Sequence, residues 1–371
     1  VDIYQSFEGG ASTLRWSGTI DDITIKADGS IVIEAIDPVR AMKDVYLPEK
    51  REVKLSANVS SASTSLPCRT ASLTTGYEYW RAGDEIVMIT SRNTAINTIY
   101  CERGQFETDV SSYAQNEKVT PVWVSGRYIE GSYNIMAANP FYVMEKLLLP
   151  LAGMTTDQID STQFAHYSTW PTTDGDVFAV VAEPTPIEQL YFELVDLCGC
   201  KSWWGEDQKI HIKRVNQPSS AISSTITDDN IISGSVSIDL RLSKRLTRYW
   251  MYWGQNPVGA VDESSSYKYL TASINAEYES SNVYDEIIED TNYCRWLSDT
   301  WTSIEDMQLR TKVYVSRKTF SMRDPHPIIS LSMDLNNAST ILTGDIVRIQ
   351  TTDYQNKDGN ALSALGMIVY R

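Results

Sequence analysis

Short runs of alternating or β-branched apolar residues, bounded by Gly, Asn, Asp and Ser, recur along the chain and predict strands through most of it. Ile23-Thr24-Ile25-Lys26 and Ile31-Val32-Ile33-Glu34 flank Asp28-Gly29, the pattern of two strands joined by an Asp-Gly turn. Ser, Ala and Thr then crowd out charged residues over 56–65, and a compact β unit is expected from there to about Val124. Its strands are expected at 84–90 and 97–101, with Arg103-Gly104 as a turn. Alternation returns at Ile210 and Ile212, at Val236, Ile238, Leu240 and Leu242, and at Ile329, Leu331, Met333 and Leu335.

Helical spacing stands out in two places. Asn139 is a good N-cap with Pro140 at the first helical position; Phe141, Met144, Leu147 and Leu148 then share a face, and Pro150 is expected to end the run. Thr185-Pro186-Ile187-Glu188 has the form of a capping box, followed by Ile187, Leu190, Tyr191, Leu194 and Cys198 on one face and by Gly199 as a C′ glycine. A third region, 284–310, is rich in Glu, Asp, Trp and Leu and reads as one or two helices set into a second β unit.

At 371 residues the chain exceeds what one core usually supports, so two to four units are expected. No apolar run reaches the length of a membrane helix; the best, 144–154, is broken by Glu145, Lys146 and Pro150. Val1 opens inside a strand-like run with no initiator Met, so the encoded chain is expected to begin earlier. Cys68, Cys101, Cys198, Cys200 and Cys294 are odd in number and thinly spread, which favours folding in a reducing compartment over a disulfide scaffold. The net charge of −16 disfavours any role that grips nucleic-acid phosphates.

Catalytic marks are scarce. Gly-x-Ser-x-Gly, phosphate-loop and Gly-x-Gly-x-x-Gly patterns are missing, and His166, His211 and His326 lack partners at zinc-site spacing. His211, between Ile210 and Ile212, is expected to be a solvated or hydrogen-bonded strand residue, and Cys198-Gly199-Cys200 a helix end. Asp228-Asp229 and Glu289-Asp290 read as solvated charges at turns or helix ends, and Asp358-Gly359 as a hairpin turn instead of part of a calcium loop, because Gln355 and Lys357 occupy ligand positions. No catalytic, cofactor-binding or metal residue is therefore assigned, and no cofactor is expected. Ten Trp and 21 Tyr against seven Phe suit subunit interfaces and sugar-stacking sites alike. In Trp250-Met251-Tyr252-Trp253 alternate side chains point to opposite faces, so a strand buried on both sides or at an interface is expected; a carbohydrate-binding or carbohydrate-cleaving β protein is the alternative.

The order of segments resembles the tail hub proteins of long-tailed bacteriophages. Residues 31–37 look like an early strand of the first hub barrel. Ala82-Gly83-Asp84-Glu85-Ile86-Val87-Met88-Ile89, followed by Arg103-Gly104-Gln105, is similar to a small β module of phage tail proteins; where that module carries Gly-Thr and His, Glu107-Thr108 and Tyr113-Ala114 stand here. Residues 139–151 with Ala152-Gly153-Met154, Ile159-Asp160 and Phe164 look like the helix and connector after the first barrel, 185–200 with Trp203-Trp204-Gly205 and 209–213 like the unit leading into the second, and 344–349 like a late barrel strand.

The resemblance implies a mainly β protein with α+β elements: two tube-like β-barrel domains, a small inserted β module and a helix-containing connector. The expected divisions are 1–52 plus 125–138 for the first barrel, 53–124 for the module, 139–207 for the connector, and 208–371 for the second barrel with a helical insertion near 284–312. It also implies a non-enzymatic homotrimer, a pseudo-sixfold ring in the baseplate at the distal end of the virion tail, assembled in the host cytoplasm. Implied partners are the distal tail protein or tail tube on one side and tip, spike or fibre proteins on the other, with tape-measure protein and DNA passing through the bore.

Overall fold

The computed structural model describes residues 2–5, 13–17, 19–26, 30–36, 39, 42–125, 127–129, 132–134, 138–168, 176–214, 222–275, 287–300, 303–324, 326–334, 341–355 and 358–368. The fold is mainly β, with one sheet curled into a half barrel. Strands β1 (Thr19–Ile25) and β2 (Ile31–Ile36) form the expected antiparallel ribbon, with Ile23 opposite Ile33 and Ile25 opposite Ile31. The Asp28-Gly29 turn lies outside the described residues.

The largest sheet contains β3 (Tyr79–Ala82), β4 (Glu85–Asn93), β5 (Thr98–Gln105) and β6 (Lys118–Val124), with short strands at Val53–Lys54, Ser65–Pro67 and Val180–Val181. Leu55, Leu66, Trp80, Val87, Ile99 and Val119 close a core on one side of it. Arg103-Gly104 is not a turn: both residues lie within β5, where the register with β4 shifts between Glu102 and Gln105. Gly104 adopts φ +64 there, and a Cβ would meet Thr108 O at 3.1 Å, so the bulge needs glycine.

Helix α1 (Pro140–Lys146) starts as expected, with Asn139 Oδ1 accepting from Phe141 N at 2.9 Å. Pro150 does not end the run; the chain continues through Leu147–Leu151 as a widened π turn. There Ala152 N, five residues on, donates to Leu147 O at 3.0 Å, so the turn closes without the N–H that proline lacks. Helix α2 (Ser161–Ser168) follows.

Helix α3 (Ile187–Leu197) buries Ile187, Leu190, Tyr191 and Leu194, and Gly199 ends it at φ +65. The capping box does not form. Thr185 is drawn into a short strand pair with Leu47, its hydroxyl donates back to Glu183 O, and Pro186 takes the cap position. The hairpin of β7 (Cys200–Trp204) and β8 (Ile210–Arg214) then leads toward the C-terminal half.

In that half β9 (Arg248–Gln255) pairs with β10 (Tyr267–Ile274), and with β11 (Glu289–Tyr293), which runs parallel to it. The expected helices over 284–310 are corrected on two counts. Glu289 is held in a strand by Arg248 Nη1 at 2.7 Å and Trp250 Nε1 at 2.8 Å, so cross-strand partners outweigh local propensity. Helix α4 (Ile304–Arg323) begins later, capped by Ser303 Oγ accepting from Asp306 N at 3.1 Å, and extends 13 residues past Arg310. Its Met307, Tyr314 and Val315 share a core cluster with Tyr249, Met251 and Trp253.

A last sheet joins β12 (Ile346–Gln355), β13 (Ala361–Met367) and the short strand Ser224–Ile226, closing a core around Ile226, Ile231, Val347 and Ile349. Two expected runs shrink. Val236 to Leu242 keeps a strand only at Ser237–Asp239, with Leu240 exposed and Leu242 in a 3-10 turn, and the later run keeps Ile328–Ser330, with Leu335 outside the described residues.

Candidate functional site

The residues that carry the phage-module resemblance converge on one buried carboxylate. Glu85 is fully buried at the start of β4. Arg103 reaches it from the β5 bulge with both prongs, Nε to Oε1 at 2.7 Å and Nη2 to Oε2 at 2.6 Å. Backbone Gly104 N (2.9 Å) and Ser111 N (3.0 Å) also donate to it, as does the Tyr113 hydroxyl. Tyr113, in the region where the resembled module has a His, thus closes the network. Arg103 in turn donates to Ser63 O at 2.8 Å and Ser111 O at 2.6 Å, tying the Ser-rich entry loop and the polar return loop to the sheet. This is a clamp that ties β4, β5 and the segments at Ser63 and Ser111 together.

Burial alone would raise the Glu85 pKa, but the bonds from Arg103, Tyr113, Ser111 N and Gly104 N outweigh it and hold the carboxyl below its ordinary value. A depressed folded-state pKa contributes stability above the unfolded carboxylate range of about 4.3, and that stability is lost as pH falls through the folded value. Melting temperature should therefore drop below about pH 4, and Glu85→Gln should remove part of that acid limb while lowering stability at pH 7. A scan from pH 7 to pH 2 on both proteins checks it; identical slopes would contradict it.

His211 is a hydrogen-bonded strand residue, as expected. Its Nδ1 lies 3.0 Å from Asp160 and its Nε2 2.8 Å from Asp207, and its ring stacks on Trp203 at 5.5 Å. Trp203 packs against Gly344 so closely that a Cβ there would meet the indole at 2.4 Å, which joins the β7–β8 hairpin to the last sheet. The cysteines are buried free thiols. Burial pushes the Cys68 and Cys101 thiols up to about 11 and Cys294 up to about 12, far from the range of reactive thiolates.

One cleft bears on the carbohydrate alternative. Phe106, Glu107, Phe178, Tyr267, Lys268 and Asp299 are among its lining residues. Lys268 Nζ sits between the two carboxylates, 2.6 Å from Glu107 and 3.5 Å from Asp299, and Tyr269 OH donates to Asp299 at 2.9 Å. A glycoside site needs two carboxylates open to the substrate beside aromatic platforms; here an ammonium occupies the space between them. Among the described residues no tryptophan lines the cleft. Trp253 is in the core, while Trp203 is stacked on His211. Neither Lys268 nor Asp299 has a sequence signal that would have singled it out.

The most conspicuous surface is the β1–β2 ribbon. Ile23, Ile25, Ile31 and Ile33 form two cross-strand pairs on one face, exposed at 53%, 74%, 61% and 51%. A lone two-stranded ribbon is at best marginally stable, and a contiguous apolar face of this kind marks an interaction site. The alternation that predicts the ribbon also signals an apolar face, but not that this face is exposed.

Comparison with protein-family models and with curated proteins finds no match. The solved structures to which the chain is similar include three described as tail proteins. The tail protein from Neisseria meningitidis MC58 is 8% identical, with 93% of this chain and 89% of that chain covered at a TM-score of 0.36. Prophage tail protein gp18 from Listeria monocytogenes EGD-e is 12% identical, with 90% and 84% covered at 0.29. The 43 kDa tail protein of prophage MuSo2 from Shewanella oneidensis is 10% identical, with 92% and 91% covered at 0.32.

Proposed function

We propose that the chain is a non-enzymatic structural subunit of a phage tail, acting as the tail hub. The observation that carries this is the exposed isoleucine face of the β1–β2 ribbon on a chain whose larger described sheets pack against buried cores. Such a face is built to be covered by protein, and the segment order of a hub supplies the setting. In this reading 1–52 plus 125–138 and 208–371 are two tube-like barrels, 53–124 is the inserted module and 139–207 the connector. Three copies form a pseudo-sixfold ring that joins the tail tube or distal tail ring to the tip, spike or fibre proteins. The acidic balance of −16 would leave a bore through which DNA and tape-measure protein slide without sticking.

The ribbon gives the direct test. Replacing Ile25 and Ile31 by Ser should change fold stability by less than about 1 kcal/mol, since exposed side chains contribute little. The same change should cut co-purification with the matching distal tail or tip protein at least tenfold. Undiminished co-purification, or wild-type protein that ignores tail proteins and binds an oligosaccharide array, would count against the hub.

A further inference from the structure

The layer formed by α4 and the β9–β11 sheet carries two more apolar surfaces. On α4, Leu309, Val313 and Phe320 are exposed at spacings of four and seven, with exposed Ser316 between them. At 3.6 residues per turn these four fall within an arc of about 60°, roughly opposite the buried Met307, Thr311, Tyr314 and Val315. On the sheet, Tyr252 pairs with Leu270, Trp250 with Ala272 and Arg248 with Ile274, so all six share the face turned away from Tyr249, Met251 and Trp253. Leu270 and Ile274 are about half exposed. Tyr293 stacks on Tyr252 at 5.3 Å and widens the platform. Two cations share this face: Arg248, paired with Glu289 at 2.7 Å, and Lys268, beside Leu270 and paired with Glu107 at 2.6 Å.

We propose that these surfaces are the two halves of one contact between copies of this chain, with the α4 stripe of one copy lying on the outer face of β9–β11 of the next. The inference rests on the self-assembling reading above and names its surfaces. Three observations select a second copy as the occupant. The patches differ in shape and face away from each other, which is the arrangement of a heterologous contact, whereas a self-complementary dimer would leave one of them bare. Their areas match: at about 200 Å² for a fully exposed large side chain, each offers roughly 350 Å² of apolar surface. With the usual apolar share of an interface, the pair corresponds to about 1,200 Å² in total, the lower end of what specific interfaces bury. The contact also repeats between copies the helix-on-sheet packing that α4 already makes within one. The stripe residues themselves are uncharged, with exposed Glu305, Asp306 and Lys312 at its edges, and the sheet-face cations Arg248 and Lys268 are already paired with Glu289 and Glu107.

The contact is tested by complementation. A helix variant, Leu309→Glu with Phe320→Glu, keeps the sheet face; a sheet variant, Leu270→Glu with Ile274→Glu, keeps the stripe. Light scattering should give an oligomer for the wild type, a monomer for each variant with association weakened at least tenfold, and a dimer for the equimolar mixture, which retains one intact contact and cannot grow. If melting temperatures fall, Phe320→Ala and Leu270→Ala are compared instead, with a smaller shift in dissociation expected. Variants that assemble like the wild type would overturn this contact while leaving the hub reading standing, and a mixture that stays monomeric would also overturn it. A wild type that stays monomeric at every concentration, with or without the distal tail protein, would overturn both.

Discussion

Replacing Arg103 by Met is expected to cost about 3–5 kcal/mol, because it leaves a fully buried carboxylate without its cation. Glu85 makes five hydrogen bonds in the wild type, two of them to Arg103. Without the guanidinium, the backbone amides of Gly104 and Ser111 and the Tyr113 hydroxyl remain, and they supply no charge. The same arginine holds Ser63 O and Ser111 O, so its loss also frees two chain segments that reach the sheet. Pairing Arg103→Met with Glu85→Leu removes charge and countercharge together, and the double variant should be more stable than Arg103→Met alone, as a buried pair with strong coupling requires. Urea unfolding of the three variants reads this directly. A single-variant loss under about 1 kcal/mol would mean that the clamp does not hold the sheet and its flanking segments together.

A loss of similar size, about 3–5 kcal/mol, is expected for Trp253→Ala. Trp253 is fully buried between the sheet and α4, stacks on Tyr269 with ring centroids 4.3 Å apart, and donates Nε1 to Thr271 Oγ1 at 3.0 Å. Its removal opens a cavity and leaves the Thr271 hydroxyl without that donor. Trp250, three positions earlier on the opposite face, is only half buried, so Trp250→Ala should cost about 1 kcal/mol in the isolated chain. The contrast assigns the two faces of β9: the first is core, and the second is the surface offered to a neighbouring copy. Equal losses at the two positions, measured by calorimetry, would contradict that assignment. Against a total stability of about 5–15 kcal/mol, a loss of this size is a large share.

Where local periodicity and packing agree, the sequence was legible. Asn139 caps α1, Ile187, Leu190, Tyr191 and Leu194 face the core, and Ile210 and Ile212 flank a hydrogen-bonded His211. It was misleading where a long-range partner decides the outcome. Arg103-Gly104 has turn composition, yet the pull of Glu85 from the neighbouring strand makes it a bulge. Glu289-Asp290 has the look of a helix end, yet Arg248 and Trp250 fix it in a strand. Thr185 has a capping-box partner at the right spacing, yet Leu47, far away in sequence, claims its backbone. The candidate surfaces were half legible: alternation fixed which residues of β1, β2 and β9 share a face, but which face stays open depends on what the rest of the chain covers. The α4 stripe is not legible because composition places the helix over 284–310, too early to include Val313 and Phe320.

Assembly of this chain is read most directly from the mass and symmetry of the purified protein, by light scattering and negative-stain class averages, with and without the matching distal tail protein. A threefold ring with a central bore is expected, formed alone or on its partner. A stable monomer that keeps its isoleucine ribbon exposed in the presence of tail proteins would contradict it.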